Sequence, residues 1–83
     1  MENNRIAVIG IIIEDTDGIS KVNDILHDYS DFIIGRMGIP YREKNINIIT
    51  VVLNAPSDKI NSLTGKLGML EGVSAKALYA GKK

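Results

Sequence analysis

His27 is the only histidine of the chain, and it lies among polar residues that could add metal ligands. On a helix, His27 would share a face with Asn23 four residues earlier, and Asp24 would share one with Asp28. One imidazole is too few for a transition-metal site built by a single chain. We therefore interpret this group as a solvent-exposed helix face and keep, as an alternative, a metal site completed by a second subunit.

The stretch from Gly35 to Arg42 combines glycines with groups that bind anions, and it reads Gly-Arg-Met-Gly-Ile-Pro-Tyr-Arg. Arg36 and Arg42 can each hold a carboxylate or phosphate through two N–H donors, and Tyr41 adds a flat surface with a polar tip. Glycine inside a strand is typical of a bulge or a close backbone approach. Two interpretations stay open: a ligand or subunit contact, and a twisted edge strand followed by an ordinary loop.

A third candidate is the turn Asp15-Thr16-Asp17-Gly18-Ile19, which leads from an apolar segment into a helical pattern. Free backbone N–H groups at the start of a helix can bind an anion. Aspartate and threonine are also common helix N-caps, and capping alone explains every residue of this turn. The local pattern therefore favours capping, and anion binding is the alternative.

Composition excludes several classes of function. The chain has no cysteine, and its ten basic and ten acidic residues give a formal net charge of zero. The lack of cysteine excludes disulfides, thiolate metal sites and a cysteine nucleophile. Balanced charge gives no electrostatic attraction to nucleic acids or anionic membranes. Because no catalytic constellation emerges either, we expect a protein without enzymatic activity or cofactor, with no direct nucleic-acid partner and no membrane partner.

The length of 83 residues allows one domain, spanning 1–83 with an ordered core of about 5–79. The N-terminus lacks the basic start and the small-residue cleavage site of a signal peptide. Its apolar run is also far shorter than the roughly 20 residues that a membrane span needs. We therefore expect a cytoplasmic protein.

The spacing of apolar residues predicts six elements. Short apolar segments predict strands over Arg5–Glu14, Phe32–Gly38, Ile46–Leu53 and Val73–Tyr79, and β-branched residues are most frequent in the first and third of these. Apolar residues at helical spacing predict a helix from Ile19 to Tyr29. A second helix is predicted to open at Ala55–Asp58, with Pro56 in its first turn, and to end at Gly68 or Gly72. The stretch from Ile39 to Asn45, which contains Pro40, predicts a loop.

The two helical patterns repeat each other. A shift of 41 residues moves the first apolar set onto the second, from Ile19, Val22, Leu26 and Tyr29 to Ile60, Leu63, Leu67 and Leu70. The element order β-α-β-β-α-β predicts an α+β, ferredoxin-like fold, in which a four-stranded antiparallel sheet carries both helices on one face. The first and third strands would be central.

Both predicted central strands are apolar on both faces. In the first strand, Ile6, Val8 and Ile12 alternate with other isoleucines. In the third strand, one face carries Ile46, Ile48 and Val52 and the other carries Ile49, Val51 and Leu53. A sheet covered on one face only should alternate apolar with polar residues. We therefore predict a homo-oligomer, a dimer or tetramer, stacked through open sheet faces or joined edge to edge. The alternative is a mildly apolar face that water tolerates.

The turn motif Asp15-x-x-Gly18-Ile19-x-x-Val22 is similar to the Asp-x-x-Gly-x-Leu-x-x-Val entry into the first helix of ACT domains. ACT domains are ferredoxin-like modules that bind amino acids or other small effectors, usually at subunit interfaces. The resemblance implies effector contacts at Asp15, Gly18 and Ile19.

Three segments resemble the small bacterial family of iron-only hydrogenase system regulators: Lys21–His27, Ile34–Arg42 and Gly65–Ser74. The resemblance extends roughly from Ile6 to Tyr79. It implies an ACT-like fold related to the effector domain of the nickel-responsive repressor. Nickel binding does not carry over, because that metal site needs several histidines and a cysteine, and this chain has only His27.

The resemblance implies a regulatory module that senses a small effector, such as an amino acid, at a subunit interface. The hypothesised effector-binding residues are Asp15, Gly18, Ile19, Gly35, Arg36, Tyr41 and Arg42. One alternative is a structural or protein-interaction module with a protein partner and no effector. Another is a metal-responsive regulator that uses His27.

Overall fold

The computed structural model describes residues 4–81, which form a four-stranded antiparallel sheet packed against two helices. The elements follow the order β1 (Asn4–Ile13), α1 (Gly18–Asp28), β2 (Ile33–Tyr41), β3 (Ile46–Pro56), α2 (Ser57–Gly68) and β4 (Val73–Tyr79). The strand order in the sheet is β2-β3-β1-β4, and all three strand pairs are antiparallel. The predicted ferredoxin-like fold, with the first and third strands at the centre, is confirmed.

The core lies between the helices and one face of the sheet. β1 contributes Ala7, Ile9, Ile11 and Ile13, each at most 1% exposed. Both helices bury residues at the predicted spacing, which are Val22 and Leu26 on α1 and Ile60, Leu63 and Leu67 on α2. Each buried side chain of this size contributes about 1.5–3 kcal/mol to folding. Neither helix within residues 4–81 is long and apolar enough to cross a membrane.

The predicted loop from Ile39 to Asn45 is wrong in its first half. β2 continues through Pro40 to Tyr41, and a single 3₁₀ turn over Arg42–Lys44 follows. β2 tolerates proline because it is an edge strand, which forms backbone hydrogen bonds with a neighbouring strand on one side only. The chain then reverses at Asn45, which adopts a left-handed conformation with φ 58°.

The second helix also differs from the prediction at its start. β3 extends to Pro56, which pairs with Asn4, and α2 begins one residue later. The fixed φ of proline suits an extended residue as well as a first helical turn, so the sequence could not separate the two. The helix ends at Gly68, one of the two predicted ends. Gly65, inside the helix, is exposed, and no atom lies within 4 Å of an added Cβ, so close packing on the sheet does not require a glycine there.

Tyr29 links α1 to α2 through a hydrogen bond between its hydroxyl and Ser62 Oγ, 2.7 Å apart. This bond lowers the pKa of Tyr29 below 10.0, burial opposes the shift, and Lys66, 5.3 Å from the ring centroid, adds to it. The pKa of Tyr29 is lower in the folded than in the unfolded protein. Ionisation of Tyr29 therefore stabilises the fold only when the pH rises through the folded-state pKa toward about 10. At neutral pH Tyr29 is protonated in both states, and the shift adds nothing to stability.

We therefore expect Ser62→Ala to raise the pKa of Tyr29, since the phenolate loses a hydrogen-bond donor. The measurement is a pH titration of the Tyr29 ring signals by NMR. An unchanged titration in Ser62→Ala would contradict the assigned cause.

Candidate functional site

The structure divides the predicted site residues among three places. The first is the β1–α1 turn, with Asp15, Gly18 and Ile19. The second is β2, where Arg36 lies opposite Val51 on the side that faces the helices and Gly35 lies opposite Val52 on the other side. The third is the β2–β3 turn, with Tyr41 and Arg42 at its start. One chain therefore does not gather these residues into a single pocket.

At the β1–α1 turn, Asp15 makes hydrogen bonds within its own turn. Its Oδ1 accepts from the backbone N–H of Asp17 at 3.0 Å, and its carbonyl oxygen accepts from the N–H of Gly18 at 2.7 Å. Asp17 occupies the N-cap position of α1 without a side-chain capping bond. The expected stabilisation of the helix start thus comes from Asp15 organising the turn.

Gly18 and Gly72 have packing roles beside this turn. A Cβ on Gly18 would lie 3.2 Å from Val73 Cγ2 and 3.3 Å from Ile13 Cγ2. A Cβ on Gly72 would lie 2.7 Å from the Cβ of Asp15, and its φ of +75° is unfavourable for other residues. Packing therefore accounts for the spacing of Asp15 and Gly18 without a ligand.

A groove between α1 and β2 brings together Arg36 and His27, which the sequence analysis had treated separately. The Arg36 groove, as we call it, has a volume of about 310 Å³ and is lined by Asn23, Leu26, His27, Ser30, Ile33 and Arg36. Arg36 Nη2 donates a hydrogen bond to Asn23 Oδ1 at 2.7 Å. Within residues 4–81, no cluster of three or more His, Cys, Asp or Glu side chains could hold a metal.

A β-bulge puts Arg36 on this side of the sheet. Ile33 pairs with Leu53 and Gly35 with Val52, so one residue of β2 is extra. Without it, Ile33 and Arg36 would lie on opposite faces, since side chains alternate along a strand. The bulge lets both face the helices. The glycine in the strand was the sequence signal for this bulge.

The β2–β3 turn offers a much smaller space. Its cavity of about 60 Å³ is lined by Pro40, Tyr41, Arg42, Asn45, Ile46 and Asn47. This volume is well below the roughly 300–1,000 Å³ that small-molecule sites commonly occupy. The Tyr41 hydroxyl donates to Glu43 Oε1 at 2.9 Å.

The sheet face without helices, here called the open face, is predominantly apolar. It consists of Ile6, Val8, Gly10, Ile12, Gly35, Met37, Ile39, Tyr41, Ile46, Ile48, Thr50, Val52, Asn54, Ser74, Lys76 and Leu78. Ile12 is 43% exposed and Met37 60%. Among these residues, only Lys76 carries a charge. The predicted lack of apolar–polar alternation in the central strands is therefore confirmed.

The sequence pattern does not reveal the contribution of β2 to this face. The predicted loop contains Ile39 and Tyr41, and the pattern gives no register for Met37. The open face also contains a hollow of about 500 Å³ above Gly10 that the pattern does not predict; it is lined by Gly10, Ile12, Ile48, Ser74, Ala75 and Lys76. The sequence signal for this hollow was Gly10, a residue without a side chain on a central strand.

The fold and this open face define an ACT-like module. The ACT domain from the GTP pyrophosphokinase of Chlorobium tepidum superposes with a TM-score of 0.70 at 25% identity, over 90% of this chain and 99% of that one. The C-terminal domain of MgtC from Mycobacterium tuberculosis has a TM-score of 0.74 at 14% identity, over 96% of this chain and 92% of that domain, and shows a shared fold alone.

A more specific match comes from the TM1266-like family, described as "Iron-only hydrogenase system regulator, putative", whose sequence model matches residues 5–77. The uncharacterized protein TM1266 from Thermotoga maritima is 36% identical, with a TM-score of 0.88 over 92% of this chain and 96% of that one. The chain therefore belongs to this family, as the three resembling segments predicted. A search of curated proteins gives no significant match.

Proposed function

We propose that this protein is a non-catalytic regulatory module of an iron-only hydrogenase system, which self-associates through its open face and responds to a small effector. The observation that carries the proposal is the open face itself. Its central residues Val8, Ile48 and Val52 are only partly buried by the chain. Family membership supplies the regulatory context.

A second copy of the chain suits this face. With a strand spacing of about 4.8 Å and a rise of about 3.3 Å per residue, four strands of 7–11 residues have a projected area of roughly 600 Å². Patches of about 300–600 Å² on monomers are often functional. The one charged residue, Lys76, lies on edge strand β4, so it can stay at the rim of a stacked pair. Two identical apolar faces would therefore bury little charge.

The hypothesised effector residues differ in the support they receive from geometry. Arg36 has the most, because it lines a groove with other polar groups. Tyr41 is exposed on the open face, so in a stacked pair it would lie near the partner subunit. For Asp15, Gly18 and Ile19, effector binding rests on the resemblance to ACT domains, and for Gly35 and Arg42 on their place in β2 and the turn after it.

Sedimentation equilibrium of the full chain over a wide concentration range tests the self-association. We expect the mass of a dimer or tetramer that decreases on dilution, because apolar burial is the main attraction. Added amino acids should raise the Tm if one of them is the effector. A monomeric mass at the highest concentration would contradict the proposal.

A protein-interaction module without an effector is the second candidate. The hollow above Gly10, with a volume of about 500 Å³, favours it, since it could accept side chains that project from a different partner. A monomer in the sedimentation experiment, together with no Tm response to amino acids, would favour this second function over the first.

A further inference from the structure

We infer that the Arg36 groove binds a small carboxylate with a short apolar tail, whose carboxylate is held by Arg36. This inference names the effector class and so rests on the proposed regulatory function. It concerns a site on the helix side of the sheet, separate from the open face.

The guanidinium of Arg36 is oriented and still charged. The Asn23 amide oxygen accepts one of its hydrogen bonds at 2.7 Å. Because that partner is neutral, it fixes the side chain without neutralising the positive charge. The remaining N–H donors can form the paired hydrogen bonds that arginine makes with a carboxylate. The bulge at Ile34 holds this residue toward α1, so the orientation is set by the backbone as well.

The rest of the lining matches the two ends of such a ligand. His27 and Ser30 offer further hydrogen-bonding groups near Arg36, while the half-buried Ile33 supplies apolar surface beside the core residue Leu26, which is only 1% exposed. Among the described residues that line the groove, none is acidic. Asp24, Asp28 and Asp31 are neighbours in sequence of lining residues, but they do not line it. The groove therefore complements a negative charge joined to a short hydrocarbon.

The volume of the groove fits this class of ligand. Small-molecule sites commonly occupy about 300–1,000 Å³, and the Arg36 groove, at about 310 Å³, lies at the lower end. A phosphate group would use Arg36 but leave the apolar lining without a partner. Since the groove and the open face are on opposite sides of the sheet, stacking through the open face would leave the groove accessible.

NMR titration of the ¹⁵N-labelled full chain with sodium 4-methylpentanoate tests the site. We expect saturable shifts of the amide signals of Asn23, His27 and Arg36. The neutral analogue 4-methylpentanamide should bind about tenfold or more weakly, because charge-assisted hydrogen bonds are lost. Inorganic phosphate at the same concentration should produce much smaller shifts. Equal responses to phosphate and 4-methylpentanoate would overturn the inference, since the groove would then recognise charge alone.

L-Leucine distinguishes two sources of the same chemistry. If leucine shifts the same amides, the groove accepts free amino acids, and the inference is supported. If only 4-methylpentanoate does so, the ligand is a carboxylic acid without an α-ammonium group, and the inference is supported in that form. If neither compound shifts these signals, the inference is overturned.

Variants at Arg36 assign the response to the groove. Arg36→Met should reduce 4-methylpentanoate affinity about tenfold or more, and Arg36→Lys should weaken it less, because lysine keeps the charge but loses the paired geometry. Lys21→Met, which removes a positive charge from an exposed position of α1, is the matched control and should bind as the wild type does. Unchanged Tm and amide dispersion show that each variant is folded. Undiminished binding by folded Arg36→Met would refute the site.

The ligand experiment and the sedimentation experiment can fail separately. An oligomer that ignores both carboxylates would overturn the groove assignment and leave self-association standing. A monomer that binds 4-methylpentanoate through Arg36 would uphold the groove and contradict the role proposed for the open face.

Discussion

Ile12→Glu is expected to convert the proposed oligomer into a monomer. Ile12 lies on central strand β1 and is 43% exposed in the single chain, so a glutamate there would stay hydrated in the monomer and permit folding. In a pair stacked through the open face, the carboxylate would be buried without a partner. Such burial costs several kcal/mol per ion, so the dissociation constant should rise about 100-fold or more.

Met69→Glu is the matched control for this experiment. Met69 is 86% exposed and follows α2, away from the open face, so the same charge there should leave the mass unchanged. Sedimentation equilibrium on both variants gives the comparison. An oligomeric Ile12→Glu variant would exclude stacking through the open face and favour the edge-to-edge arrangement.

Gly72→Ala is expected to lower the free energy of unfolding by about 2–4 kcal/mol, from left-handed strain and steric overlap together. Gly72 has a φ of +75°, and an added Cβ would lie 2.7 Å from the Cβ of Asp15. The backbone has little freedom to move, because the Gly72 carbonyl oxygen accepts a hydrogen bond from the N–H of Glu14 at 2.7 Å. Urea or thermal denaturation measures the change.

Gly65→Ala is expected to change the free energy of unfolding in the opposite direction. Gly65 lies inside α2, is exposed, and has no atom within 4 Å of an added Cβ. Alanine there should raise the free energy of unfolding by about 0.5–1 kcal/mol, because it favours helix more than glycine does. If Gly72→Ala proved as stable as the wild type, the packing of the two turns described above would be wrong.

The contact between Gly72 and Asp15 changes how the β1–α1 turn should be interpreted as a candidate site. Asp15 and Gly18 matched a motif associated with effector binding, yet each has a structural role in one subunit. Asp15 organises the turn and meets Gly72, and Gly18 allows Ile13 and Val73 to pack closely. A loss of function in variants at these positions therefore needs a stability measurement before it is assigned to a ligand.

The sequence by itself determined the element order, the ferredoxin-like fold and the family. Helical spacing at Val22, Leu26, Ile60, Leu63 and Leu67 identified the buried faces of both helices, because such faces repeat with the turn of the helix. The β-branched central strands also showed that both sheet faces are apolar. These features depend on residues close together in the chain, so local patterns reveal them.

Only the tertiary structure decided which side chains meet. The extra residue at the bulge turned Arg36 toward His27, and pairing with β3 extended β2 through Pro40 to Tyr41. The contact between Gly72 and Asp15 joins residues that are distant in sequence. A shift of one residue in strand register moves a side chain to the opposite face, and register is set by the partner strand. The position of Arg36 therefore depends on how β2 pairs with β3, and the spacing of residues along one strand does not reveal that pairing.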